Sequence, residues 1–472
     1  MTERHFLVPG KVLNYILFRT YAVIQRAMAI DLYLTSFDIK IISFLFLSTV
    51  FAIINLSWMF LFVTSIRSYL HTPLITLKET HAIYHVSRHL PFVSVIVPAR
   101  NEQDNIERCI LSLLAQDYPS FEVIVVDDNS TDNTLRIVKD VKSRVKGLSE
   151  DSSPSIHRLK IITITEKPVK WTGKTWASEQ GYLQSAGNVL LFTDADTYYM
   201  SKDTISQTVS YMQKENLDVL TGLPFIELRD FWSKVTMPLW NHFSILLGAN
   251  TGAMNNPKSK VAYLMGSFFL IRRKVIEEVG TFRSVRNAIQ EDRELGMRIK
   301  QAGYNMKIVR IDNAVSALWS RDLLTLWHGI GRTFAPMTKL QVFTSLITVF
   351  FMAMLPFLLL PSALLLGAYT GTSDLNLLFW MVDISSTFQQ QELEQLAMLP
   401  FYLNVISCLM IVIAVAAKDM KKYRITPVYS LLSFLGAGFI VISYIANIMS
   451  LLSEQSISWR GRKSKITYSN KV

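Results

Sequence analysis

Hydrophobic positions along the chain follow two patterns. Long uncharged stretches lie near the start and through the last third, while the middle alternates short β-branched runs with helical spacing. Residues 41–66 carry no charged side chain, and neither do residues 342–368, where Pro356 and Pro361 predict kinks. Residues 396–417 and 428–452 complete a set of four such stretches. Roughly 20 apolar residues cross the hydrocarbon core of a bilayer, so all four predict spanning helices. Ahead of them, VLNYILFRTYAVIQRAMAI (12–30) mixes apolar and basic positions. That pattern suits a helix lying on a membrane surface, with a loosely packed extension as the alternative. The predicted order is an amphipathic segment at 1–40, a spanning helix at 41–66, a middle domain at 91–333, three spans within 342–452, and a basic tail at 453–472.

In the middle domain, VSVIV (93–97), FEVIVV (121–126), residues 158–165 and residues 188–193 read as strands. Residues 105–116, 131–141 and 174–185 read as helices between them, and GLSEDSSPS (147–155) as a surface loop. Strands alternating with helices predict an α/β fold with a mostly parallel sheet. Such sheets bind ligands beyond the carboxyl ends of their strands. Three strands here run into polar clusters: PARNE after Val97, DDNSTD after Val126 and DADT after Thr193. If these strands are neighbours, the clusters converge on one crevice.

Composition sharpens the picture. Half the chain is hydrophobic and only 18% is charged, with a mean hydropathy of +0.26, too apolar for an ordinary soluble enzyme. The net charge of +11 suits nucleic acid or an anionic membrane surface. No nucleic-acid-binding motif is present, so the expected partner is the membrane and not nucleic acid. Two cysteines, Cys109 and Cys408, exclude a disulfide framework.

Asp194 and Asp196 carry the sharpest chemical signal. In a strand, alternate side chains share a face, and two carboxylates held together repel unless a cation or a donor-rich ligand lies between them. One reading is a capped surface turn. The other is a Mg²⁺ or Mn²⁺ site that shares its coordination shell with a substrate diphosphate. Asp127 and Asp128 end a strand ahead of a helix. Capping accounts for Asn129 to Asp132 but does not require two further acids, which suit ribose hydroxyls and base N–H groups.

Together, VSVIVPARNEQDNI, VIVVDDNSTDNT, WTGKTWASEQG, TDADT and a later QED resemble a family-two glycosyltransferase with a GT-A type fold, over about residues 91–311. With the spanning stretches added, the layout is similar to membrane-bound members that glycosylate lipids, such as carotenoid- and hopanoid-associated glycosyltransferases. WTGK and the tail SWRGRKS point to that subgroup, although those relatives often carry Tyr at the position of Ser464. The resemblance implies that Ala99, Arg100, Glu102 and Asp128 line a nucleoside pocket. It implies that Lys174 faces the nucleotide or its phosphates, that Asp194 and Asp196 form the Asp-x-Asp pair with Asp196 on the metal, and that Asp292 is the catalytic base. It also implies single displacement with inversion at C1. Processive members carry Gln-x-x-Arg-Trp; here the region reads LWHGIGRTF (326–334), where Arg332 remains a candidate contact to phosphate or acceptor.

The expected function is transfer of a sugar from a nucleotide-diphosphate sugar to a membrane lipid acceptor. The alternatives are a polyprenyl-phosphate sugar synthase, a polysaccharide synthase and, outside enzymes, an inactive nucleotide-sugar-binding membrane protein. Residues 369–395 hold four acids and no Lys or Arg, whereas KDMKKYR (418–424) is strongly basic. The positive-inside tendency puts the first outside and the second inside, consistent with a cytoplasmic catalytic domain in a multi-pass membrane protein. The basic tail conflicts with this unless the last helix, with Gly436 and Gly438, is re-entrant or charge bias is overridden. FWSKVTMPLWNHFSILLG (231–248) reads as a membrane-docking segment or an ordinary core helix.

Overall fold

The computed structural model describes residues 9–75, 90–147, 158–246, 251–288, 290–334, 339–360, 387–452, 456–459 and 462–465. The elements are α1 (Pro9–His71), β1 (Val93–Ala99), α2 (Ile106–Leu114), β2 (Phe121–Asp128), α3 (Thr134–Gly147), β3 (Leu159–Ile164), α4 (Gly173–Leu183), β4 (Val189–Phe192) and β5 (Thr197–Tyr199). They continue as α5 (Thr204–Lys214), β6 (Val219–Leu223), β7 (Phe225–Leu228), α6 (Phe231–Leu246), α7 (Thr251–Asn255), β8 (Phe269–Arg272), α8 (Arg273–Glu278), α9 (Glu291–Gln301), β9 (Met306–Arg310) and β10 (Val315–Ser320). The chain then forms α10 (Leu323–Phe334), α11 (Lys339–Val349), α12 (Thr387–Lys418), α13 (Ser433–Leu452) and a hairpin of β11 (Ser456–Trp459) and β12 (Arg462–Lys465).

Two compact units emerge, one from Met1–Met59 with Phe351–Ile411, the other from Phe60–Phe350 with Val412–Val472. In the first, the buried indole of Trp58 donates to the Met352 carbonyl at 2.7 Å, and Asn55 Nδ2 donates to the Leu403 carbonyl at 3.2 Å.

The second unit holds a seven-stranded sheet in the order β3-β2-β1-β4-β8-β6-β9. Every neighbouring pair is parallel except those of β8, which runs antiparallel to β4 and β6. β1 and β2 are buried on both faces, as strands covered by helices must be. Val93, Val95 and Val97 enter one core and Ile96 the opposite one. On α2, Ile106, Cys109, Ile110 and Leu113 are buried at spacings of three and four, one stripe facing the sheet. α4 approaches the other face so closely that a Cβ on Gly181 would stand 2.4 Å from Ile96 Cγ2. A second sheet, β5-β10-β7, stands beside the first. The chain after α1 adds an edge to β9, because Arg310 N–H donates to Pro73 O (2.6 Å) and Ile75 N–H to Arg310 O (3.0 Å).

Four helices among the described residues are long and apolar enough to cross a membrane: Leu45–His71, Val342–Leu360, Leu399–Tyr423 and Pro427–Ala446. Most of each is not buried, with Phe60, Phe343, Ile406, Ile413 and Ile442 facing outward. So many outward apolar side chains suit hydrocarbon rather than water. The segments expected at 1–40 and 41–66 both fall on α1, residues 1–8 lying outside the described set. Most of the acidic segment 369–395 (residues 369–386) also lies outside it.

α6 packs along α13. A Cβ on Gly436 would meet the Val235 carbonyl oxygen at 2.2 Å, and Trp240 and Tyr444 ring centroids lie 6.2 Å apart. Small residues permit this close approach between helices. Of the two readings of 231–248, α6 is therefore a helix with a buried face, and its partner is itself a candidate span.

Candidate active site

Three segments distant in sequence build one polar wall of a cavity of about 1060 Å³ in the second unit: the start of α4, the turn between β4 and β5, and the start of α9. Thr172 caps α4 by accepting from Thr175 N–H (3.3 Å), which places Lys174 in the first turn. Lys174 Nζ lies 2.7 Å from Asp194 Oδ1 and 3.1 Å from Glu291 Oε1. Asp292 Oδ1 accepts from Arg293 N–H at 2.7 Å. Its other oxygen lies beside Gly266. A Cβ there would stand 2.7 Å from Lys174 Nζ and 3.3 Å from both Asp194 Oδ2 and Asp292 Oδ2. The absent side chain therefore leaves open the space on which all three groups converge.

Burial, then Glu291, then Asp194 push Asp292 up to about 7, with Lys174 and the Arg293 N–H opposing them. A carboxylate in that range is a far better base near neutral pH than an ordinary one. Burial acts to lower Lys174, but Asp194, Glu291 and Asp292 outweigh it and hold the ammonium well above its usual range. Burial and Asp292 push the Tyr263 phenol up to about 12.

Asp194 and Asp196 both border the cavity, but not by strand alternation. β4 ends at Phe192, so Asp194 lies past it, and Asp196 closes a turn just before β5. A turn, rather than pleat geometry, carries both to the cavity. It is tied to β10 by Leu318 N–H donating to the Asp196 carbonyl (3.4 Å).

Ala99, Arg100, Glu102 and Asp128 gather at the adjoining ends of β1 and β2, where Ala99 pairs with Asp127. Among the described residues, none of the four borders the cavity. Arg100 Nη1 donates to the carbonyls of Asp128 (2.5 Å) and Asn129 (2.8 Å). Glu102 forms an ion pair with Arg321, whose Nη1 also reaches Asp104 Oδ2 at 3.2 Å. Asp127 Oδ2 accepts from Ser130 N–H (3.3 Å), while buried Oδ1 has no partner among the described residues. Cys109 links the clusters: burial, Asp196, Glu102 and Asp194 all raise its thiol pKa. Arg332 lies on α10, with its side chain outside the described residues.

The expectations drawn from sequence did not assign roles to Glu291, Gly266, Tyr263 or Arg321. Only the adjacent acids of QED hinted at the first. The other three are brought to their places by tertiary contacts.

With that geometry in place, residues 94–280 match the family Glycosyl transferase family 2. Residues 189–417 match Glycosyl transferase family group 2. Both matches agree with the motif resemblance to family-two glycosyltransferases. It is 28% identical over 236 residues to "Probable glycosyltransferase YdaM" of Bacillus subtilis (strain 168), covering 47% of this chain and 49% of that protein. It is 30% identical over 121 residues to 4,4'-diaponeurosporenoate glycosyltransferase of Staphylococcus aureus (strain USA300), covering 26% and 28% respectively. The chain thus spans half or less of the length of these curated relatives. Among solved structures it is similar to mannosyltransferase PcManGT from Pyrobaculum calidifontis in complex with GDP-Man and Mn²⁺. That likeness has a TM-score of 0.46 at 16% identity and covers 85% of this chain and 99% of that one.

Proposed function

We propose that this protein is an inverting, divalent-cation-dependent glycosyltransferase that moves a sugar from a nucleotide-diphosphate sugar to a membrane lipid acceptor. It would be a multi-pass membrane protein with its catalytic domain in the cytoplasm. The observation that carries the reading is the meeting of Lys174, Asp194, Asp196 and Asp292 in a cavity that also borders Ala414 and Ala417 of the candidate span Leu399–Tyr423. Polar donor and apolar acceptor can meet there.

Asp194 and Asp196 fit a hard cation, since both offer carboxylate oxygens. Among the described residues no group of three or more His, Cys, Asp or Glu could hold a metal alone, so the substrate diphosphate would supply further oxygens. Mg²⁺ or Mn²⁺ bound there would neutralise charge on the departing diphosphate. Lys174 is placed to trade its carboxylate partners for phosphate oxygens. Asp292 takes the acceptor proton as the new bond to C1 forms opposite the departing group, which inverts the anomeric centre. Its raised pKa suits this role. Ala99, Arg100, Glu102 and Asp128 frame the nucleoside, and Arg332 remains a candidate contact to phosphate or acceptor.

The test is to incubate membranes containing the protein with a panel of labelled nucleotide sugars and extract the lipids. Label should enter lipid from one donor, and only with divalent cation present. Absence of labelled lipid with every donor, from membranes in which the protein is folded, overturns the reading.

A further inference from the structure

Other residues lining the same cavity differ in chemistry. Lys418, the last residue of α12, and Lys421 and Lys422, in the π-helical turn Asp419–Tyr423, all line it. Spacings of three and four residues place the lysines together on one side of the helix end. Among the described residues, no carboxylate forms an ion pair with any of the three. Lys422 Nζ donates to the neutral Asn241 Oδ1 at 3.1 Å. Asp419, in the same turn, is fully buried, does not line the cavity, and among the described residues has no partner for either carboxylate oxygen. Asp312 does line it but is engaged by Arg310 (3.1 Å) and Tyr69 (3.3 Å). Met237, Trp240, Ala414 and Ala417 add apolar lining to the same cavity.

Like charges gathered against apolar surface repel one another until an anion joins them. A second anion on the substrate would be repelled by Asp194, Asp196, Glu291 and Asp292 and drawn to the lysines. The apolar lining suits a hydrocarbon body attached to that anion. We infer that Lys418, Lys421 and Lys422 form a subsite for a phosphate or carboxylate group carried by an amphiphilic acceptor. This rests on the proposed transfer to a lipid and narrows the acceptor to an anionic class.

The experiment uses the full chain in detergent, with dodecyl phosphate, dodecanoate, dodecanol and inorganic phosphate as probes and nucleoside diphosphate binding measured in parallel. The wild type should bind the two anionic amphiphiles roughly tenfold or more tighter than dodecanol. That preference should vanish in K418Q/K421Q/K422Q and persist in K418R/K421R/K422R, while nucleoside diphosphate affinity changes little in either. Equal binding of dodecanol and dodecyl phosphate by the wild type overturns the inference, and that measurement stands even if the Gln variant fails to fold. A preference that survives in a folded Gln variant also overturns it. Inorganic phosphate competing as strongly as dodecyl phosphate would mark a free-phosphate site and overturn the amphiphile. Failure to bind any nucleoside diphosphate or nucleotide sugar instead defeats the proposed transfer. Normal donor binding without anionic preference defeats this inference alone.

Discussion

Two polar clusters close the strand ends of the sheet, and they are wired differently. At β1 and β2, most groups hold one another: Arg100 holds backbone carbonyls, Arg321 holds Glu102, and Ser130 N–H holds one oxygen of Asp127, whose other oxygen has no partner among the described residues. Around Lys174, one ammonium serves Asp194 and Glu291 at once, while burial and then Glu291 push Asp292 up to about 7 against the pull of the lysine. The first arrangement is a rigid frame. The second holds more acid than base and leaves open space at Gly266. Runs of polar residues that look alike in sequence are therefore wired differently, and the proposed reaction centre is the one in which a single lysine serves several acids.

The comparison breaks hardest at Asp292. Asp292→Asn keeps the size and the Arg293 hydrogen bond but removes the basic oxygen. Transfer should fall roughly 10²-fold or more, with donor binding and thermal stability near normal. Near-wild-type transfer by the folded variant removes the catalytic assignment. Asp196→Asn takes away a charged oxygen, so cation-dependent nucleoside diphosphate binding should weaken by roughly tenfold or more. Turnover undiminished in excess chelator contradicts the metal reading.

Two changes sharpen the contrast further. Gly266→Ala puts a methyl 2.7 Å from Lys174 Nζ. The lysine tip can move aside, so folding should survive while transfer drops about tenfold through displaced charges. Asp292 must be ionised to accept a proton, and its pKa is raised to about 7. Transfer should therefore climb about tenfold per pH unit below about 7 and level off above it, and a flat profile would contradict that role. The smallest catalytic effect is expected in the frame. Arg321→Met removes the ion pair of the buried Glu102 carboxylate, which keeps the Asn105 Nδ2 donor at 3.2 Å, and should cost roughly 1–3 kcal/mol of stability by denaturant unfolding. Its transfer per folded molecule should fall less than that of Asp292→Asn.

Much of this was legible in residue order. Alternation of VSVIV and FEVIVV with helical patterns marks the parallel strands, because strands covered on both faces must be apolar throughout. Four uncharged stretches mark the candidate spans, because hydrocarbon excludes charge. Asp194 and Asp196 stand out as two acids one residue apart at a strand end, whereas Asp292 is marked by the motif resemblance to family-two glycosyltransferases. Which groups meet was decided only in three dimensions. Lys174 and Glu291 are far apart along the chain and 3.1 Å apart in space, Arg321 reaches Glu102 from beyond β10, and Asp194 and Asp196 reach the cavity on a turn rather than a pleat. KDMKKYR reads in sequence as a topology signal, yet the fold turns three of its lysines into the cavity. Local pattern reports burial and periodicity, which each residue carries with it. Distances between distant residues, and the pKa values they set, come from packing that no local pattern encodes.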